Sequence, residues 1–91
     1  MKAYKTIANP NDIRLFRPDK NMKRLSDSME RLQMPGYDFD ANELIQCMKE
    51  LIKLDTDWIP TGEGYSLYIR PTVVATHPFL GLTPPSSLIL Y

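Results

Sequence analysis

The sequence is poor in the residues from which self-sufficient sites are built. It holds one cysteine, Cys47, which excludes an internal disulfide and any metal centre made of clustered cysteines. It holds one histidine, His77, set in a proline-flanked loop, where it reads as a solvated side chain. Eleven basic residues balance eleven acidic ones, so no basic field exists to attract nucleic acid or an anionic membrane, and neither is expected as a partner. No apolar run approaches the roughly 20 residues that span a bilayer. No nucleophile–base pair and no glycine-rich phosphate loop of recognised spacing is present. Asp55, Asp57 and Glu63 cluster in sequence but lack the alternate spacing of a calcium loop, and read as a wet acidic turn. The residues therefore nominate no catalytic group and no metal ligand.

What is present suits one small domain. At 91 residues, folding buries roughly two-thirds of the chain's surface, so stability is modest. An apolar fraction of 43% is ordinary for a globular chain and speaks against disorder. The first residues read as neither a secretory signal nor a transit peptide. With the single cysteine, this makes the cytoplasm the expected compartment, the mitochondrion remaining open. The chain begins in a strand-like run, Lys2 to Ile7, and stops inside another, Ser86 to Tyr91. It therefore reads as a piece of something larger.

The most informative stretch runs from Tyr65 to Val74. It alternates: Tyr65, Leu67, Ile69 and Val73 point one way, and Ser66, Tyr68, Arg70 and Thr72 the other. That period of two predicts a strand with an apolar face on a core. The opposite face carries a phenol, a guanidinium and two hydroxyls; it is either simply wet or able to hold a small anion, since a guanidinium pairs with carboxylate or phosphate. Pro71 cannot donate to a ladder, which predicts an edge or a bulge there.

Before this stretch, Met1–Ile7 and Ile13–Arg17 predict a hairpin around the turn-forming Ala8-Asn9-Pro10-Asn11-Asp12, ended by Pro18. Asn21 is the expected cap of a helix whose inner stripe is Met22, Leu25, Met29 and Leu32, stopped at Met34-Pro35-Gly36. Asp40 with Glu43 approximates a capping box for a second helix, about 41–55, with Leu44, Met48, Leu51 and Ile52 inward and Ile45 and Leu54 widening that face. Cys47 reads as a small buried hydrophobe there, and Trp58 as a core anchor. After the central strand, broken at Thr76-His77-Pro78, comes a last strand at 87–91. The order β-β-α-α-β-β predicts an α+β fold, a mostly antiparallel sheet with two packed helices.

Three blocks also resemble a known family in order and spacing. Ile13-Arg14-Leu15-Phe16-Arg17-Pro18 followed by Asn21-Met22-Lys23-Arg24 resembles an "RLFRP..NMDR" segment. Leu44-Ile45-Gln46-Cys47 followed by Leu54-Asp55-Thr56-Asp57-Trp58-Ile59-Pro60 resembles a helix and its tryptophan loop. Ser66-Leu67-Tyr68-Ile69-Arg70-Pro71 with Leu80-Gly81 resembles a third. All three are similar to the small N-terminal domain of branched-chain amino-acid aminotransferases, class IV enzymes of pyridoxal 5'-phosphate. The resemblance implies that residues 1–91 are part of that small domain, and that the large domain with the cofactor-bonding lysine lies beyond Tyr91. It implies that Arg24 contacts the cofactor phosphate, a role favoured by a place near a helix N-terminus. Tyr68 and Arg70 would meet the substrate, Arg70 drawing in a carboxylate. The implied substrates are leucine, isoleucine or valine with 2-oxoglutarate, and the parent is a homodimer.

The sequence departs from the family at Lys23, where aspartate is usual, and in the more polar Leu25-Ser26-Asp27-Ser28. The aromatic pocket residue of the family's "FEGMKA" segment is missing, because the chain starts at the end of that segment. Such a fragment is not expected to be active alone. Two alternatives stand beside this reading. One is a sister class IV activity, D-amino-acid transfer or aminodeoxychorismate lysis. The other is a non-catalytic short product that docks on a full-length subunit through the Leu88-Ile89-Leu90 edge.

Overall fold

A computed structural model of the chain describes residues 1–36 and 38–91. Strand β1 (Lys2–Lys5) pairs antiparallel with β2 (Ile13–Leu15), in the register Ala3–Leu15, Tyr4–Arg14 and Lys5–Ile13. The turn between them is held by side chains. The Thr6 hydroxyl donates to the Asn9 carbonyl at 2.8 Å, and Asn9 Oδ1 accepts from the Asn11 amide at 3.1 Å. Helices α1 (Pro18–Arg31) and α2 (Ala41–Leu54) follow, then a short 3₁₀ turn, Thr56–Trp58. Strand β3 (Leu67–Tyr68) returns to pair antiparallel with the other side of β1, giving the order β2-β1-β3. Strands β4 (Val73–Thr76) and β5 (Ser87–Leu90) form a separate antiparallel pair. The architecture is α+β with antiparallel sheets and two helices, as the sequence predicts.

The expected single strand from Tyr65 to Val74 is instead two. Residues 69–72 carry no strand, and the chain passes there from the three-stranded sheet to the two-stranded one. Pro71 lies in this break: without an N–H it cannot extend a ladder, and it restricts Arg70 before it. From Leu67 to Arg70 the alternation holds, Leu67 and Ile69 being half-buried and Tyr68 and Arg70 exposed; it is lost at the break, where Pro71, Thr72 and Val73 are all half-buried, and Ser66 is half-buried as well. Tyr65 is exposed and does not join the inner set.

Asn21 does not cap α1. The helix starts three residues earlier, because Pro18 has its φ preset for a first helical position and has no N–H to leave unpaired. The residue before it, Arg17, takes a left-handed conformation (φ 48°, ψ 54°) and offers no side-chain cap. The helix ends at Arg31, ahead of the expected Met34-Pro35-Gly36 stop. Its end is a Schellman closure: the Met34 amide bonds the Met29 carbonyl and the Gln33 amide the Glu30 carbonyl, with Gln33 at φ 55°. Leu32 therefore falls outside the helix and is exposed. The cap of α2 is where it was expected. Asp40 accepts from the amides of Asn42 at 2.9 Å and Glu43 at 3.0 Å.

Two small cores form. Ala3, Ile52 and Ile59 gather Ile13, Leu15, Leu67 and Ile69 around them, beneath the three-stranded sheet. Met22, Ile45 and Met48 gather Met1, Phe39, Ala41 and Leu44 between the helices, with Ile69 again at the boundary. Several expected core residues stand outside. Cys47 is exposed, because one step along the helix turns it about 100° from buried Met48. Leu51 and Leu54 are exposed on the rim of the α2 stripe, whose buried line is Ile45, Met48 and Ile52. Trp58 is 78% exposed, and its neighbour Ile59, at 2%, is the anchor of that loop. His77 is half-buried rather than solvated, its ring 4.1 Å from that of Phe79.

Two outcomes follow. Ala3 is fully buried on the central strand between Leu15 and Leu67, so Ala3→Leu should cost about 1–3 kcal/mol in urea unfolding. Cys47 in the folded chain should react with a disulfide reagent as fast as in urea; strong protection would place it inside after all.

Candidate functional site

One cavity of about 250 Å³ opens between α1 and the segment that follows β3. From α1 it receives Asn21, Arg24, Leu25 and Ser28. These share a face because spacings of three and four bring helical residues into line. From the strand segment it receives Tyr68, Ile69, Arg70 and Pro71. The structure thus brings Arg24, Tyr68 and Arg70 to one volume, although more than 40 positions separate Arg24 from Tyr68. Among the described residues, no carboxylate lines it.

The two arginines are held differently. Arg24 Nη2 donates to Asn21 Oδ1 at 2.7 Å. Arg70 Nε donates to the Tyr68 hydroxyl at 3.1 Å, and its guanidinium carbon lies 5.1 Å from the Tyr68 ring centroid. Among the described residues, the ion pairs involve Arg14, Lys20, Lys23 and Lys53, and neither cavity arginine is among them. The Tyr68 oxygen accepts from Arg70, so its own proton stays available as a donor. The Met1 ammonium donates to the Ile69 carbonyl at 2.9 Å nearby. Its pKa is lowered chiefly by desolvation, and further by repulsion from Arg24, Lys2 and Arg70. A carboxylate-free cavity with a positive potential and free guanidinium donors suits an anion such as a phosphate monoester or a carboxylate.

Three features go beyond or against the sequence reading. Arg24 is the seventh residue of α1, about 9 Å along its axis, so the helix-terminal amides do not assist it as expected. Lys23 does not disturb the cavity. It turns outward and pairs with both oxygens of Asp27, at 2.9 and 2.8 Å, which raises its pKa by hydrogen bonding first and charge second. Lys23 and Asp27, which both fall in the segment departing from the family, thus compensate each other. From the sequence, Asn21 has the role of a cap, whereas in the structure it holds Arg24; its spacing of three from Arg24 is the signal for that contact. A second, apolar cavity of about 500 Å³ lies on the other side of residues 67–71, against Leu44, Met48 and Leu51 of α2. Among the described residues, no cluster of histidine, cysteine and carboxylate side chains could hold a metal ion, and no helix is long and apolar enough to cross a membrane.

Fold and cavity together define an α+β unit with an arginine-lined cavity shared between a helix and a strand. Comparison with known proteins narrows this further. Over all 91 residues the chain is 50% identical to a branched-chain-amino-acid aminotransferase of Monosiga brevicollis. It is 46% identical to the cytosolic branched-chain-amino-acid aminotransferase of Rattus norvegicus, and 44% to the mitochondrial one of Mus musculus. The chain is therefore homologous, from end to end, to one segment of branched-chain-amino-acid aminotransferases, in keeping with the three ordered blocks. It spans about a fifth of the length of these curated relatives, 21–22%. No protein-family model matches it.

The Tyr68–Arg70 contact is testable in solution. In Tyr68→Phe the Arg70 Nε–H loses its acceptor, so its NMR signal should shift and its hydrogen exchange accelerate. An unchanged Arg70 signal would show that the contact does not form.

Proposed function

We propose that this chain is part of the small domain of a branched-chain amino-acid aminotransferase and forms one wall of its cofactor and substrate site. The observation that carries the proposal is the convergence of Arg24, Tyr68 and Arg70 on one carboxylate-free cavity. The whole-length likeness to branched-chain aminotransferases supports it over the D-amino-acid and lyase alternatives.

The donor set fits the phosphate of pyridoxal 5'-phosphate. Arg24 has one hydrogen bond to Asn21 and keeps further N–H groups for phosphate oxygens. When bound, that cofactor supplies the electron sink for moving an amino group between leucine, isoleucine or valine and 2-oxoglutarate. The chain's own residues bind and orient. Arg70, held by Tyr68 through Nε, turns its remaining N–H groups to a substrate carboxylate. The Tyr68 hydroxyl donates beside it, and its ring covers the bound molecule. Among the described residues no lysine lines the cavity, and in this reading the residue that would bond the cofactor covalently belongs to another part of the parent. In this reading the chain alone does not transaminate, the parent is a homodimer, and its compartment is the cytoplasm, with the mitochondrion as the alternative.

Pyridoxine 5'-phosphate is a suitable probe, because without an aldehyde it does not react with surface lysines. Titrated into the chain, it should perturb the Arg24 guanidinium signals, and Arg24→Gln should weaken binding about tenfold. Wild-type affinity in Arg24→Gln would falsify the phosphate role. With pyridoxal 5'-phosphate, leucine and 2-oxoglutarate, the chain should produce no glutamate; steady cofactor-dependent production would overturn its proposed inactivity.

A further inference from the structure

We infer that Asn21 is a positioning residue, whose side-chain amide fastens the Arg24 guanidinium to the turn between β2 and α1. The part of this inference that concerns phosphate rests on the function proposed above. Both ends of the Asn21 amide are engaged. Its Oδ1 accepts from Arg24 Nη2 at 2.7 Å, while its Nδ2 donates to the carbonyls of Arg17 at 2.9 Å and Phe16 at 3.4 Å. The chemistry fixes this orientation. A guanidinium only donates and a carbonyl only accepts, so a flipped amide would face donor to donor and acceptor to acceptor.

The turn it grips is the constrained point of the β2–α1 connection. Arg17 sits in the left-handed region, φ 48°, ψ 54°, which a non-glycine residue keeps only when its surroundings hold it there. The Arg17 carbonyl also receives the amides of Lys20 and Asn21, at 3.2 and 3.3 Å, so the Asn21 side chain adds a bond to an oxygen already tied into the first helical turn. One planar group thus links a rigid backbone corner to the free end of a long, exposed arginine. Its consequence is preorganisation. An arginine already held in one place loses less rotational freedom when an anion arrives, and its remaining donors point to a fixed spot. The Ser28 hydroxyl, which accompanies Arg24 on the cavity wall, donates to the Arg24 carbonyl at 2.8 Å, a bond to the backbone and not to the guanidinium.

The test uses the 91-residue chain, NMR of its arginine side chains and inorganic phosphate as probe. Without phosphate, the Arg24 Nη groups should rotate slowly in the wild type and freely in Asn21→Ala. Asn21→Asp keeps the acceptor and loses the donors, so slow rotation should persist there. That variant also decides the matter if Asn21→Ala fails to fold. Phosphate should bind Asn21→Ala about three- to tenfold more weakly than wild type. Free Arg24 rotation in the wild type or in Asn21→Asp, or wild-type rotation and phosphate affinity in Asn21→Ala, would overturn the inference. Undiminished phosphate binding by Arg24→Gln would instead sink the phosphate reading, leaving the positioning role to the rotation measurements alone.

Discussion

The fold turns on Ile69. Among the described residues, its side chain is the one that reaches both cores, packing against the Ala3–Ile52–Ile59 group and the Met22–Ile45–Met48 group. Its backbone is fixed at the same time, its amide donating to the Met1 carbonyl and its carbonyl accepting from the Met1 ammonium, both at 2.9 Å. A residue pinned through backbone and side chain leaves its neighbours little choice. Tyr68 and Arg70 must face away from the helix-backed core, because successive residues of an extended segment point to opposite sides. The burial of one isoleucine therefore aims the two polar side chains that share a cavity with Arg24.

The two halves of the site carry different constraints. Arg70 is steadied by Tyr68, two positions away on the same extended segment, so its local geometry follows from the strand period. Arg24 is steadied across one helical turn by Asn21, and through it by the strained corner at Arg17. Bringing the halves together requires that α1 pack against α2 and that β3 pair with β1. The cavity is thus a property of the tertiary fold, while the orientation of each arginine is local.

Much apolar surface remains outside. Neither core includes a residue of β4 or β5, and Leu54, Trp58, Leu80 and Leu82 are all exposed. Exposed apolar side chains in such number are typical of surfaces that meet further protein. The proposed place of this chain within a small domain, whose relatives are more than four times longer, accounts for them. It also explains why burial could not be read from hydrophobicity alone. A stripe such as Leu44, Met48, Leu51 and Leu54 records where apolar contact is available, and this chain fills only part of it.

The sequence by itself determined what depends on neighbours along the chain. Asp40 capped α2 because its carboxylate reaches amides two and three residues ahead. The hairpin closed at Thr6–Asp12 because threonine and asparagine there bond their own turn. Leu67 and Ile69 stayed on one side of the segment and Tyr68 and Arg70 on the other because the extended backbone alternates. Only the tertiary structure decided what depends on distant partners. It ended β3 at Tyr68 and moved the chain to a second sheet beyond Pro71, since a ladder continues only where a donor and a partner strand coincide. It left Cys47 and Trp58 in the open and buried Ile59, since burial is set by the surface that packs opposite. It also brought Arg24 to Tyr68 and Arg70, because their meeting depends on two helices and a returning strand, which no local spacing encodes.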